Sequence, residues 1–157
     1  MNKTTLAGGC ALTLLAINPA YAVPVNFQGS LIEAIPCTIN QGQLIELDFG
    51  DGVIIRNLDG QNYQKSINYV LECSAPGSVR LSVLGTPTLF DGAAVQTDVT
   101  GLGIRINKGS QPFTLNAPVT IDLATPPVLT AVPVADPASP PSPGAFHAGA
   151  TLLADYQ

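Results

Sequence analysis

The 157-residue sequence lacks the short motifs that mark most enzyme active sites. It contains no G-x-S-x-G nucleophile elbow, no phosphate-binding Walker loop, no H-E-x-x-H zinc pair and no calcium-loop pattern. The single histidine, His147, falls at a polar position of an alternating segment, so we expect it to be exposed or to line the edge of a groove. Because the eleven Asp and Glu residues are scattered, the sequence predicts no enzyme, no metal site and no cofactor.

Cationic residues and long apolar runs are also scarce. Six Lys and Arg stand against eleven Asp and Glu, which argues against nucleic acid and against an anionic membrane surface as partners. The apolar stretch 6–17 is too short to cross a membrane. It follows Lys3 and precedes Ala20-Tyr21-Ala22, an A-x-A cleavage signal. We therefore expect residues 1–22 to be a signal peptide that directs export.

No stretch has a useful helical period, whereas alternation with a period of two is common. This pattern predicts an all-β protein, and many short strands separated by turns favour a sandwich of immunoglobulin type. We expect the stretch 86–101 to be a loop. Proline should make the strand near 128–134 an edge or irregular strand, and 137–143 should be a stiff extended loop or a disordered linker. The predicted strands lie near 31–39, 43–49, 66–73, 79–84, 102–107, 119–123, 128–134 and 146–156.

The expected mature chain, which starts at Val23, has an alternating segment at each end. Such segments could be the first and last strands of an ordinary complete sandwich. Near the C-terminus, Gly144 is followed by apolar residues at every second position: Phe146, Ala148, Ala150, Leu152, Ala154 and Tyr156. Near the N-terminus, the corresponding row is Val23, Val25, Phe27, Gly29 and Leu31.

Two cysteines, Cys37 and Cys73, remain once the predicted signal peptide with Cys10 is removed. Export to an oxidising space makes a disulfide the expected state, with two free thiols as the alternative. The bridge would close the loop between Cys37 and Cys73, and in the chain-entropy model this closure stabilises the folded state by roughly 3–4 kcal/mol. The absence of a C-x-x-C motif disfavours a redox role.

Taken in order, these features resemble the subunits of chaperone–usher pili of the type 1 and P fimbrial kind. They are the signal peptide, the alternating N-terminal segment, Pro36-Cys37, the second cysteine at the end of a long strand, and Gly144 before an alternating strand with a penultimate tyrosine. The resemblance implies an incomplete immunoglobulin-like sandwich of six main strands, whose seventh strand is supplied in trans. It implies residues 23–30 as a donor-strand extension and residues 31–157 as the pilin domain. The donor would use Val23, Val25, Phe27, Gly29 and Leu31, and the acceptor strand would be Gly144 to Tyr156.

The resemblance also implies partners and a location. A periplasmic chaperone would lend a strand first, an outer-membrane usher would pass the subunit on, and neighbouring pilins would join head to tail. The mature protein would then be exported through the periplasm to the cell surface, as a minor pilin or adaptor of a fimbria that supports adhesion. The alternative is a secreted carbohydrate-binding, adhesin-like module. Pilus adhesins combine a lectin with a pilin domain, and this chain has room only for the second.

Overall fold

The computed structural model describes residues 23–31, 37–74 and 77–156. The predicted signal peptide, the start of the strand predicted at 31–39 and the side chain of Tyr156 lie outside the described residues. The described chain forms two units, the first of which is the short segment 23–31. That segment contains neither helix nor strand, and all of its residues are exposed. Nothing helical in the described ranges has both the length and the apolar character needed to cross a bilayer.

The second unit is built from short antiparallel strands. Two 3₁₀ turns, Asn40–Gly42 and Ile55–Asn57, interrupt them. The strands are β1 (Cys37–Ile39), β2 (Lys65–Ile67), β3 (Leu71–Cys73), β4 (Ser78–Leu84), β5 (Ala94–Gln96), β6 (Leu102–Lys108), β7 (Gln111–Pro112), β8 (Val119–Asp122), β9 (Leu129–Ala135) and β10 (Thr151–Tyr156).

Two larger sheets face each other across the hydrophobic core. One has the order β10-β4-β8, and the other has the order β2-β9-β6-β5 with β7 paired to β6. Every second residue of β4 is buried, as expected for a strand with one face on a core. These side chains pack against the inward-facing rows of β6 and β9. The core cluster includes Val79, Leu81, Val83, Ile104, Ile106, Ile121, Leu129 and Ala131. The all-β prediction is confirmed.

The disulfide joins the two strands of a small third sheet, β1 and β3. Cys37 and Cys73 are directly opposite each other in this pair and are bonded through their sulfur atoms. The prediction that the two cysteines lie on adjacent strands is therefore confirmed. The strand predicted at 66–73 is broken in two, because β2 belongs to the large sheet and β3 to the β1 pair. At the crossing point, the Asn40 side chain accepts a hydrogen bond from the N–H of Val70 at 2.6 Å.

The prediction of a loop over 86–101 is wrong for its centre. Residues 94–96 form β5, which pairs with β6, and Ala94 and Val95 are buried. This strand is only three residues long, so its sequence is too short to show alternation. Asp91 stabilises the start of β5. The Asp91 carboxylate forms an ion pair with Arg105 on β6 and accepts a hydrogen bond from the N–H of Ala93.

The prediction that proline would confine 128–134 to an edge is also wrong. The strand β9 lies between β2 and β6, and Pro133 is fully buried within it. The N–H of Ala135 donates to the carbonyl of Leu58, on the side of β9 where β2 lies. Because backbone groups in a strand alternate in direction, the nitrogen of Pro133, two residues earlier, points to the same side. The strand β2 begins at Lys65, opposite Ala131, and does not reach Pro133. The missing N–H of proline therefore falls beyond the end of the β2 ladder, where only an isolated bridge between Asp59 and Val134 continues the pairing.

The proline-rich stretch after β9 packs against a neighbouring turn. The N–H of Asp136 donates to the carbonyl of Gly101 at 2.8 Å, and Pro141 is buried. Gly101 has a φ of +79°, and a Cβ atom placed on it would overlap the carbonyl oxygen of Ser139. This close approach favours the predicted extended loop over a disordered linker.

Candidate functional site

Two extended segments of the second unit have no strand partner among the described residues: 43–49 and 144–150. Sequence reasoning predicted a strand at 43–49, and the alternation is present in the structure. Ile45, Leu47 and Phe49 are half-buried, while the residues between them are exposed. The segment has the side-chain pattern of a strand but lacks the ladder that defines one.

The second segment leads directly into β10, which has a strand neighbour on one side only. The strand pairs with β4 from Thr151 opposite Leu84 to Tyr156 opposite Val79. On its other side, β10 is the edge of the three-stranded sheet in the described chain. An unpaired edge of this kind can accept a further strand through main-chain hydrogen bonds.

The backbone direction of this segment is fixed by His147 and Asp98. The N–H of His147 donates to Asp98 Oδ1 at 2.7 Å, and the N–H of Asp98 donates to the carbonyl of His147 at 3.1 Å. The N–H and C=O groups of successive residues in an extended strand point to opposite sides. Phe146 and Ala148 therefore direct their own polar groups away from Asp98, toward the open edge.

An apolar groove lies between the two segments. One cavity in this groove has a volume of 570 Å³. Residues 43–49 form one wall and residues 146–152 the other, while side chains from both large sheets form the floor. The floor consists of Val83, Val95, Ile104, Ile106, Leu129 and Ala131. The groove therefore lies directly over the hydrophobic core, whose residues at its floor are 7% exposed or less.

A second cavity of 760 Å³ continues from the first toward Gly144. The two cavities share four lining residues: Leu47, Phe49, Phe146 and His147. At this junction the rings of Phe49 and Phe146 approach from opposite walls, with centroids 6.0 Å apart and planes tilted by 40°. The ring pair narrows the groove at one point along its length.

The predicted acceptor residues fall into two groups. Phe146, Leu152 and Ala154 are half-buried and pack against the core. Ala148 and Ala150 have the same strand phase but are exposed. Both alanines line the cavity of 570 Å³, and Gly144 lines the cavity of 760 Å³. The alternation thus predicted which way these side chains point, and the open groove explains why the alanines are uncovered.

The predicted donor residues present apolar side chains to solvent. Val25 is 68% exposed, Phe27 is 92% exposed and Leu31 is fully exposed. Gly29 has no side chain in this row. A run of exposed large apolar residues is typical of a segment that binds a partner.

One wall of the groove was not identified as part of the site from the sequence. Ile45, Leu47 and Phe49 were assigned only to a short strand. The sequence does contain a signal for this role. The alternating strand predicted at 43–49 is not one of the six main strands of the expected sandwich. The predicted exposure of His147 at the edge of the groove agrees with the structure.

The groove can bind an extended apolar chain, because its edge offers main-chain hydrogen bonds and its floor offers apolar contacts. It has no arrangement for metal chemistry: within the described ranges, no three His, Cys, Asp or Glu side chains come together as metal ligands would.

Comparison with known proteins identifies the family. Residues 25–157 match the fimbrial protein family. The chain is 37% identical to the fimbrial-like protein YfcQ of Escherichia coli (strain K12) over 93% of its own length and 97% of that protein. It is 33% identical to YfcR of the same strain over 78% of its own length and 74% of that protein.

Solved pilus subunits have the same fold. The P pilus adaptor subunit PapF matches with a TM-score of 0.55 and 28% identity over 78% of this chain and 96% of its own. The P pilus rod subunit PapA matches with a TM-score of 0.59 and 22% identity over 85% of this chain and all of its own. The incomplete immunoglobulin-like fold and the structural, non-enzymatic nature of the protein are thereby confirmed. The chain belongs to the fimbrial protein family and is a subunit of the chaperone–usher pilus type.

Proposed function

We propose that this pilin joins its fimbria by donor-strand exchange and so supports bacterial adhesion. The observation that carries the proposal is the groove between residues 43–49 and 146–152, whose floor is hydrophobic core. A sandwich with such an opening exposes both apolar side chains and unpaired backbone groups, and either favours aggregation unless a strand covers it.

In this mechanism the acceptor is the strand from Gly144 to Tyr156. A periplasmic chaperone covers the groove first and keeps the subunit from aggregating. At the outer-membrane usher, the N-terminal segment of the next pilin replaces the chaperone strand. Residues 23–31 of this chain are in turn the donor for a neighbour.

The apolar side chains of the donor segment provide the driving force for binding. Burial of Val25, Phe27 and Leu31 contributes roughly 5–8 kcal/mol before the entropic cost of ordering the segment. Main-chain hydrogen bonds to the open edge fix its direction and register. Because these residues are exposed in the chain alone, their apolar surface is available for binding.

The geometry of the exchange determines the shape of the assembly. Donor and acceptor are different surfaces of one chain, so each contact is heterologous, and contacts of this kind build an open fibre when the rotation does not close. Such a fibre extends from the cell surface after its subunits have passed through the periplasm.

A paired substitution tests the proposal. Ala148→Asp places a carboxylate in the apolar groove, whereas Ala124→Asp makes the same change at an exposed alanine outside both cavities. Each variant is expressed with a chaperone and usher, and incorporation into surface fibres is counted by immunogold electron microscopy. We expect Ala148→Asp to be absent from fibres and Ala124→Asp to be incorporated as wild type. Equal incorporation of both variants would contradict the proposal.

A further inference from the structure

Aspartate is followed by glycine at three places in this chain: Asp51-Gly52, Asp59-Gly60 and Asp91-Gly92. In such a pair the aspartate side chain can react with the next peptide bond, because glycine has no Cβ atom to shield its backbone nitrogen. The sequence alone does not rank the three pairs. The folded chain does, because it surrounds the three carboxylates differently.

The reaction is an isomerisation that passes through a ring. The backbone nitrogen of the glycine attacks Cγ of the aspartate. An N–Cγ bond forms, the nitrogen loses its proton, and a Cγ–O bond breaks to release water. The product is a five-membered succinimide that contains the main-chain carbonyl of the aspartate.

Water then opens the ring at one of its two carbonyl groups. Opening at Cγ regenerates aspartate, whereas opening at the main-chain carbonyl leaves the glycine joined through Cγ as isoaspartate. The water lost in the first step is regained in the second, so no other reactant is needed. Ring closure requires a carboxyl group that can turn toward the main chain and take up a proton. Hydrogen bonds and ion pairs to the carboxylate oppose both, because they fix its orientation and favour its charged form.

Both carboxylate oxygens of Asp59 are held. The Oδ1 atom accepts hydrogen bonds from the N–H groups of Gln61 and Asn62, each at 2.9 Å, and the Oδ2 atom accepts one from the Asn62 side chain at 2.8 Å. The backbone bonds from Asn62 and Gln61 keep the pKa of the Asp59 carboxyl below its ordinary value. The side chain of Arg105 also lies against Gly60 and limits its movement.

Asp91 is held through its side chain and its main chain. Its side chain is 14% exposed and forms an ion pair with Arg105, and its Oδ1 atom accepts a hydrogen bond from the N–H of Ala93 at 2.9 Å. The Thr88 hydroxyl accepts from the N–H of Asp91 and donates to the carbonyl of Asp91, each at 3.0 Å. The rotation that ring closure needs would break these contacts.

Asp51 has no such contacts. Asp51 and Gly52 form an exposed turn, and among the described residues no hydrogen bond or ion pair holds the Asp51 carboxylate. The side chain that accepts a hydrogen bond in this turn is that of Asp48, from the N–H of Gly50 at 2.7 Å. A Cβ atom placed on Gly52 would have no other atom within 4 Å, so the space around this glycine is open.

We propose that Asp51 is a site of spontaneous isoaspartate formation in the folded protein, whereas Asp59 and Asp91 are protected by the fold. The modification adds one methylene group to the main chain two residues after Phe49 and turns the main-chain carboxyl of Asp51 into a side group. The mass and the net charge of the chain stay the same.

Peptide mapping of the full chain tests the proposal. One sample is incubated for weeks at neutral pH in native buffer and a second in urea. Isoaspartate is identified in the digests by its shifted elution and by its resistance to a protease that cleaves before aspartate. The rate at each site in native buffer is divided by the rate at the same site in urea, where no fold protects it.

We expect this ratio to be close to one at Asp51 and at least severalfold lower at Asp59 and Asp91. Equal ratios at the three sites would contradict the proposal, because the fold would then not select among them. The absence of isoaspartate at position 51 in native buffer would overturn it, whatever the urea sample shows.

An alanine substitution provides an independent check. Gly52→Ala shields the attacking nitrogen with a methyl group, and the structure has room for this group at a φ outside the left-handed region. We expect isoaspartate at position 51 to fall severalfold, with an unchanged midpoint of urea unfolding. The matched control Gly92→Ala, which also adds a methyl group in open space, should leave the product at position 51 unchanged. Undiminished product in the Gly52→Ala variant would show that the Gly52 nitrogen is not the attacking group and would contradict the proposal.

Discussion

Phe49 and Phe146 lie on opposite walls of the groove, and their rings meet with centroids 6.0 Å apart. The residues come from segments almost a hundred positions apart in the chain, and neither segment has a strand partner among the described residues. The contact therefore joins two walls that no ladder joins. It lies at the junction of the two cavities, both of which Phe49 and Phe146 line.

Phe27→Asp should abolish the proposed donor role of residues 23–31. Phe27 is 92% exposed, so its replacement removes no packing from the chain alone. Burial of the new carboxylate in an apolar groove would be strongly unfavourable. We expect co-purification with the chaperone to be unchanged and fibre incorporation to be lost, as measured by fibre yield.

Gln28→Asp is the matched control for that prediction. It introduces the same charge at the adjacent exposed residue, which lies between two positions of the alternating apolar row. Fibre yield should remain near wild type. Unchanged assembly of the Phe27→Asp variant would show that this side chain does not fill the groove.

Removal of the disulfide should destabilise the second unit. Cys37→Ser together with Cys73→Ser opens a loop of 36 residues. We expect the free energy of unfolding in urea to fall by about 3–4 kcal/mol. Cys10→Ser, in the predicted signal peptide, should leave that value unchanged, and an unchanged value for the double variant would show that the bridge contributes no stability.

Replacement by valine should change the free energy of unfolding in opposite directions at two buried threonines. Thr130 is buried, and its hydroxyl has no hydrogen-bond partner in the described residues. Thr97 is also buried, but its hydroxyl bonds to Val99 and Leu102. We expect Thr130→Val to raise the free energy of unfolding by about 1 kcal/mol and Thr97→Val to lower it by a similar amount or more. A destabilised Thr130→Val variant would indicate a role of that hydroxyl.

Alanine substitutions at two glycines can distinguish the cost of backbone strain from the cost of disturbing the packing of the proline-rich loop. Gly101 and Gly109 have φ values of +79° and +60°, but only Gly101 lies against Ser139 and Pro141. Gly109→Ala should cost about 1 kcal/mol from the left-handed conformation alone. Gly101→Ala should cost clearly more in urea unfolding, and equal costs would mean that the loop does not pack there.

The sequence was informative where a long strand has one covered face. The alternation of Val79, Leu81 and Val83 identified β4, and the row from Phe146 onward identified one wall of the groove. Cys37 and Cys73 could be paired because only two cysteines remained after the predicted signal peptide. These features depend on local periodicity and composition, which a single sequence contains.

Tertiary context decided the remaining features. The strand β5 is too short to show a period and is fixed by the contact of Asp91 with Arg105. Pro133 is tolerated in a central strand because β2 ends before reaching it. The exposure of Ala148 depends on the groove being open, and no local pattern distinguishes a covered strand from an uncovered one.

Amide hydrogen exchange shows directly whether the groove is open in the chain alone and covered in the fibre. The backbone groups of Phe146 and Ala148 face the open edge, whereas β10 pairs with β4 and provides an internal reference. We expect fast exchange at these two amides in the chain alone and protection by about 100-fold or more in the assembled fibre, with little change in the β10 amides directed to β4. Equal protection of the two groove amides before and after assembly would contradict it.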